Sequence, residues 1–346
     1  MPVVVDKDPT GAAAGRKAGS HPELQTAPPP EAGPDSPAGL DKRSMWGAMR
    51  RSVTEFQKDN LTVWAAALTY YGILSIFPGL LVLVAVLGLL SDSLTKDLLD
   101  TVAPVVPGPA RDILTAALTN IQSGGGKAGL AAVVGLLIGI WSASGYVAGF
   151  MQASNAIYDV PEGRPIWKKL PVRLGITIVT GILLVASVLI VVVSGQLAEQ
   201  IGAALDASGT TVAVWNVVKW FLLVILVSLM FAILYWAAPN VRHGGFAWVT
   251  PGGVVAVVLW VLSSVVFGVY ATNFASYNKT YGALGSVIVF LVWMWLSNLA
   301  ILYGAELNAE LERQRAIAAG QPPAEEPYVR LRDTSKVKED QTSDLR

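Results

Sequence analysis

Residues 280–305 read TYGALGSVIVFLVWMWLSNLAILYGA and contain no Asp, Glu, Lys or Arg. At about 1.5 Å of rise per residue, a helix of that length outreaches the roughly 30 Å hydrocarbon core of a bilayer. The stretch therefore predicts a membrane crossing. Toward the N-terminus, further charge-free runs occupy 60–91, 128–158, 174–198, 220–241 and 244–278. Gly and Pro trim the six to expected spans near Ile73–Leu90, Leu130–Val147, Leu174–Val193, Val217–Ala237, Trp248–Tyr270 and Ala283–Tyr303. Composition agrees: 53% of residues are hydrophobic and only 14% charged, where a soluble domain carries about a quarter.

The expected fold class is all-α, a polytopic membrane protein of six transmembrane helices with an N-terminal interfacial helix and disordered tails. Residues 1–43 are rich in Pro, Ala and Gly and lack aromatics, which predicts a disordered cytoplasmic tail. Residues 44–313 make the membrane domain, and 314–346 a polar cytoplasmic C-terminal tail. Between Ser44 and Asn60, Met45, Met49, Val53 and Phe56 recur at helical spacing with Arg50, Arg51, Glu55 and Lys58 on other faces, the pattern of a helix lying at a membrane surface. Phe77, Pro78 and Gly79 predict a kink or break in the first apolar run. In the loop after it, Pro109 opens a helix carrying Ile113, Leu114, Leu118 and Ile121 on one side, placed either as a cap over the external mouth or on the membrane surface. Lys and Arg number twenty on the side holding both termini and five on the other, which places both termini in the cytoplasm of a plasma-membrane protein.

Polar residues inside such a chain need partners or a wet cavity. Ala131, Gly135, Gly139 and Ala143, then Gly145, Gly149 and Ala153, form a four-residue ladder for close helix approach. On the same helix Asn155 and Tyr158 lie three apart and share a face, either lining a polar groove or tying helices together. Asn273 opens a polar and aromatic cluster running to Tyr281. Glu306 and Glu310 share a face at the cytoplasmic end of the last span, read either as an acid/base or cation site or as a solvated helix end beside Arg313. Tyr70 and Tyr71 stand among small residues of the first run.

Much chemistry is excluded. The chain has no cysteine and two histidines, His21 and His243, so no metal site, catalytic residue or cofactor is expected. No glycine-rich nucleotide loop occurs, and no basic surplus calls for nucleic acid: Lys and Arg together number 25, as do Asp and Glu. Ionisable residues are scarce at membrane depth, which argues against an ion-coupled pump.

The segments LTYYGILSIFPGLLVLVAVLG, Trp141 to Pro165, and YNKTYGALGSVIVFLVWMWLSNLAILYGAELNAELER together resemble the YihY/BrkB family of bacterial inner-membrane proteins, with the likeness running over roughly Met45 to Arg313. The resemblance implies six membrane helices with cytoplasmic ends. Some members carry an old ribonuclease label, others a virulence-factor label, and neither supplies a catalytic residue. The expected function is a translocase or permease for a lipid or other amphiphile, with Tyr70, Tyr71, Asn155, Tyr158, Asn273, Asn298 and Glu306 as groove residues. The alternative is a non-transporting scaffold or envelope-integrity protein. Expected partners are membrane lipids, a second copy of the chain or a cytoplasmic protein.

Overall fold

The computed structural model describes residues 27–29, 32–90, 126–192, 209–274 and 283–337. The loop helix expected after Pro109, the Tyr277–Tyr281 cluster and the first 26 residues lie outside them. Within them seven α-helices follow one another: α1 (Lys42–Lys58), α2 (Leu61–Leu90), α3 (Gly126–Ile157), α4 (Ile166–Val192), α5 (Gly209–Ala237), α6 (Thr250–Phe274) and α7 (Ala283–Ala318). Extended pairing among the described residues is limited to the isolated bridge Val241–Leu331.

Local chemistry sets the helix ends. The Asp41 carboxylate accepts the Ser44 N–H at 2.9 Å and caps α1. The chain then reverses into α2 at Asn60, which holds φ 52°, a left-handed geometry that Asn tolerates. Asp159, at φ 50°, does the same after α3. The break expected at Phe77–Gly79 does not interrupt the helix: α2 continues through Pro78. Proline removes one N–H from the ladder, a loss that neighbouring helices offset. α4 starts eight residues before the expected Leu174, carrying Pro171 inside it.

Judged by length and composition, four described segments suffice to cross a membrane: Ile166–Val191, Val217–Ala237, Phe246–Tyr270 and Val287–Ala318. Leu61–Ile76 is a shorter apolar helix. Large apolar side chains stay uncovered along these helices, among them Ile182, Trp220, Phe221, Leu262 and Val266. Water would penalise a surface of that kind, whereas hydrocarbon does not.

Each helix from α2 onward packs on the next in chain order, and α7 returns to α2, closing a ring; α1 lies along α7. α2 against α3 and α6 against α7 are the most extensive pairs. The expected ladder contributes Gly149, where a Cβ would stand 2.8 Å from the Tyr71 ring and 3.2 Å from Leu68. A closer approach, unforeseen in the sequence, is backbone against backbone between Gly252 of α6 and Gly304 of α7.

One end of the ring is covered by the chain's own flanks. Residues 32–41, inside the stretch expected to be disordered, form a 3-10 turn at Pro37–Gly39 and bury Pro37 and Leu40. Leu40 joins Ala48, Trp248, Leu307 and Leu311 in a small apolar cluster, which supplies the burial that orders it. Beyond α7, Tyr328, Val329, Leu331 and Val337 enter the main core. The segment is pinned by main-chain bonds from Arg242 N–H to the Arg330 carbonyl (2.8 Å), Arg332 N–H to the Asn240 carbonyl (3.0 Å) and Lys336 N–H to the Gly163 carbonyl (3.0 Å).

Candidate functional site

The covered end of the ring holds a dense polar lattice. Asn155 leaves α3 with both ends of its amide used: Oδ1 accepts the Asn240 N–H at 2.8 Å and Nδ2 donates to Glu162 at 3.2 Å. Glu162 accepts Arg164 Nε at 2.7 Å, and Arg164, 6% exposed, also donates to the Ala238 carbonyl at 2.8 Å. Burial pushes the Glu162 carboxyl up, but Arg164 overcomes this and holds it below the ordinary range. The Asn240 side chain in turn donates to the Asp333 carbonyl at 2.7 Å. Asn155 therefore fastens α3 to the α5–α6 link and, through it, to the C-terminal segment.

The glutamates of α7 stand beside this lattice. Glu306, Glu310 and Glu312 are 1%, 2% and 0% exposed, so the reading of a solvated helix end is corrected. α1, the α5–α6 link and residues 321–337 cover them. Glu312 accepts the Gly244 N–H at 3.0 Å and Arg315 Nε at 2.7 Å, with His243 Nδ1 at 3.4 Å. Tyr158 sets its ring edge-on to His243, centroids 5.6 Å apart. The Tyr158 hydroxyl and both His243 nitrogens are buried without a hydrogen-bond partner. Burial pushes the Tyr158 phenol well up, reinforced by the charges of Glu312 and Glu306. Glu310 accepts Arg51 Nε at 2.9 Å, which ties α1 to α7.

No N–H or O–H donor reaches Oε2 of Glu306. Its neighbour is the carboxyl of Asp59, in the turn between α1 and α2. Two neighbouring buried carboxyl groups repel one another unless one carries a proton. Burial pushes the Asp59 carboxyl up, and the charges of Glu55 and Glu310 add to it. A carboxyl raised in the folded state contributes stability below its ordinary value of about 3.9 and loses it as pH rises through the raised value. Thermal melts across the mildly acidic range should therefore show stability falling as pH rises, and Asp59→Asn should flatten that slope and raise the melting temperature at neutral pH. A slope unchanged in the variant would count against the pairing.

The remaining expected residues lie elsewhere. Asn298 of α7 accepts the Tyr146 hydroxyl at 2.8 Å and donates to Thr69 Oγ1 at 3.1 Å, joining α7, α3 and α2. Tyr70 and Tyr71 are exposed, their rings edge-to-face at 5.7 Å. Asn273 lies in α6, and its side chain falls outside the described residues. Asn155, Tyr158 and Glu306 thus belong to the covered end of the ring, Asn298 to the α2–α3–α7 contact, and Tyr70 and Tyr71 to an exposed face of α2. Among the described residues no group of three His, Asp or Glu can hold a metal ion.

A feature that the sequence reading missed runs along α4. Arg173, Thr177, Thr180 and Ser187 fall on one helical face, spanning about 21 Å. Their spacing of four, three and seven was the available signal. Thr177 donates to the Arg173 carbonyl at 2.8 Å, Thr180 to Ile176 at 2.7 Å and Ser187 to Leu183 at 2.8 Å. Each hydroxyl is thereby satisfied within its own helix while its oxygen stays able to accept. Large apolar side chains on the other faces of the helix, Ile178, Val179, Ile182 and Leu184 among them, are exposed, whereas along the stripe Arg173, Thr177 and Thr180 are half-buried and Ser187 is buried.

Stacked apolar helices with an uncovered apolar surface and a polar lattice at one end define a multi-pass helical membrane protein. The chain belongs to the Virulence factor BrkB family, whose model matches residues 52–328. It is 29% identical over 264 residues to YfkH of Bacillus subtilis, a protein with a ribonuclease-like label, covering 76% of this chain and 93% of that one. A UPF0761 membrane protein of Rhodospirillum centenum is 29% identical over 278 residues, 78% of this chain and 58% of its own length. Another, from Alteromonas mediterranea, is 29% identical over 262 residues, 74% of this chain and 84% of that one. No solved structure matches the chain.

Proposed function

We propose that this protein is a translocase or permease for a lipid or other amphiphile in the plasma membrane. The observation that carries the reading is the α4 stripe: three hydroxyl acceptors reaching over about half of a roughly 30 Å hydrocarbon core, Thr177 and Thr180 half-buried and Ser187 buried, on a helix whose other faces are largely uncovered. A headgroup passing along it exchanges hydrogen bonds with neutral oxygens while the acyl tails stay in lipid. The reading takes α2 to α7 as six spans, with both termini and the polar lattice on the cytoplasmic side, in keeping with the Lys and Arg distribution. It takes α1 as interfacial, supported by the uncovered Met45, Trp46, Met49 and Val53. No cofactor and no catalytic step enter it.

The second reading is a non-transporting scaffold, favoured by the fully engaged amides of Asn155 and Asn298. Reconstitution into liposomes carrying fluorescent lipid in both leaflets separates the two. A translocase makes inner-leaflet probe reachable by an impermeant quencher, and Thr177→Val with Thr180→Val slows this severalfold without moving the melting temperature. Wild-type protein that moves no probe, anionic or zwitterionic, leaves the scaffold.

A further inference from the structure

Among the described residues, the stripe starts at a cation with no counter-charge. Arg173 lies seven residues into α4, about 10 Å along a helix whose next eighteen residues carry no charge. Its Nε donates to the Ser144 carbonyl at 2.9 Å and the Ser144 hydroxyl at 2.8 Å, and Nη2 donates to the Trp141 carbonyl at 3.4 Å. The guanidinium lies 5.2 Å from the centroid of the Trp141 ring, itself 53% exposed. Among the described residues no carboxylate comes within ion-pair distance, and Nη1 donates to nothing. The nearby lysines differ: Lys168 pairs with Asp333 at 2.5 Å and Lys169 with Glu162 at 3.7 Å. Carbonyls and an indole face thus orient the fork of Arg173 without neutralising it.

One turn beyond Lys169, at the edge of an uncharged span, this cation is hydrogen-bonded but not neutralised, and an anion at the membrane boundary would complete it. The fork geometry suits two oxygens of one group, as in a phosphodiester. We propose that Arg173, flanked by Trp141, binds the phosphodiester of an anionic glycerophospholipid such as phosphatidylglycerol, whose charge of −1 balances the site. This rests on the translocase reading for its meaning as the first station of the α4 stripe. The geometry itself requires only that α4 lie in a membrane.

The test is native mass spectrometry of the purified full chain in detergent, with phosphatidylglycerol, phosphatidylcholine or inorganic phosphate added. Wild-type protein should retain phosphatidylglycerol in preference to phosphatidylcholine, and excess inorganic phosphate should not displace it. Arg173→Gln should weaken retention about tenfold or more, the loss expected for one charge-assisted contact. Arg173→Lys should recover part of it, and Trp141→Ala should weaken it while keeping the guanidinium. Should Arg173→Gln not fold, the Lys and Trp141→Ala variants carry the comparison. Equal retention of the two lipids by wild-type protein, displacement by phosphate, or retention unchanged in the variants overturns the proposal. Wild-type protein that holds phosphatidylglycerol yet moves no lipid between leaflets refutes transport and keeps this site. Transport with binding unchanged in Arg173→Gln does the reverse.

Discussion

Gly304→Val should lower the melting temperature of the detergent-solubilised protein by roughly 6–12 °C, if the variant accumulates at all. A Cβ at Gly304 would run into the main-chain carbonyl of Gly252, stand 2.6 Å from the Tyr235 hydroxyl and 2.9 Å from Ala256 Cβ. Side chains yield by changing rotamer, whereas a helix backbone moves only as a body. Overpacking commonly costs about 1–3 kcal/mol, and a backbone clash belongs at the upper end or beyond. Each kcal/mol displaces the midpoint by roughly 2–4 °C in a chain of comparable size. Separating α6 from α7 also strains Asn308, whose side chain accepts the Gly252 N–H at 2.8 Å and donates to the Val249 carbonyl at 3.0 Å. In this way Asn308 serves the Gly252 N–H, one of the donors at the start of α6 that have no helical partner, and ties itself to the residue before the helix. Gly252→Val should be as damaging, and Gly175→Val, where a Cβ meets nothing within 4 Å, should be nearly silent. Equal midpoints for the Gly304 and Gly175 variants would refute the close approach.

The second large effect is expected at Glu312→Ala. The carboxylate is fully buried and accepts from the Arg315 guanidinium and the Gly244 N–H. Its removal takes the anion from a cation that is 1% exposed. Breaking one side of a buried ion pair costs about 3–5 kcal/mol, because the remaining charge stays desolvated. Replacing both partners by apolar residues of similar size is much milder by the same argument. Glu312→Leu combined with Arg315→Met should therefore recover most of the loss, as measured by thermal melts of the single and double variants. A double variant that melts lower than Glu312→Ala would show that the pair does more than neutralise itself.

The helical membrane layout was legible because it is a local property: length without charge is written in consecutive residues, and α5 and α7 contain the expected spans Val217–Ala237 and Ala283–Tyr303, while α4 and α6 match theirs to within two residues at one end. What surrounds the polar residues was not. Arg51 meets Glu310 across 259 positions and Asn155 meets Asn240 across 85. No periodicity reports such pairs. Glu306 and Glu310 could be placed on one face but not under cover, since the chain that buries them lies in flanks whose composition reads as tail. Leu40, Tyr328 and Leu331 were the signal there, isolated apolar residues within polar stretches. The glycine ladder of α3 attracted notice through its regular interval, whereas Gly252 and Gly304 belong to different helices and carry no pattern. The α4 stripe was hidden for a further reason: three hydroxyls among branched apolar residues barely change the hydropathy of a span.

The central claim is that the helical ring crosses a membrane with the polar lattice on the cytoplasmic side. The chain's lack of cysteine allows a direct measurement. Single cysteines introduced as Asn278→Cys and Ser335→Cys can be probed in intact cells with a membrane-impermeant maleimide. The account predicts labelling at position 278 without permeabilisation and at position 335 only after it. Labelling of both from the same side, or of position 335 from outside, would contradict it.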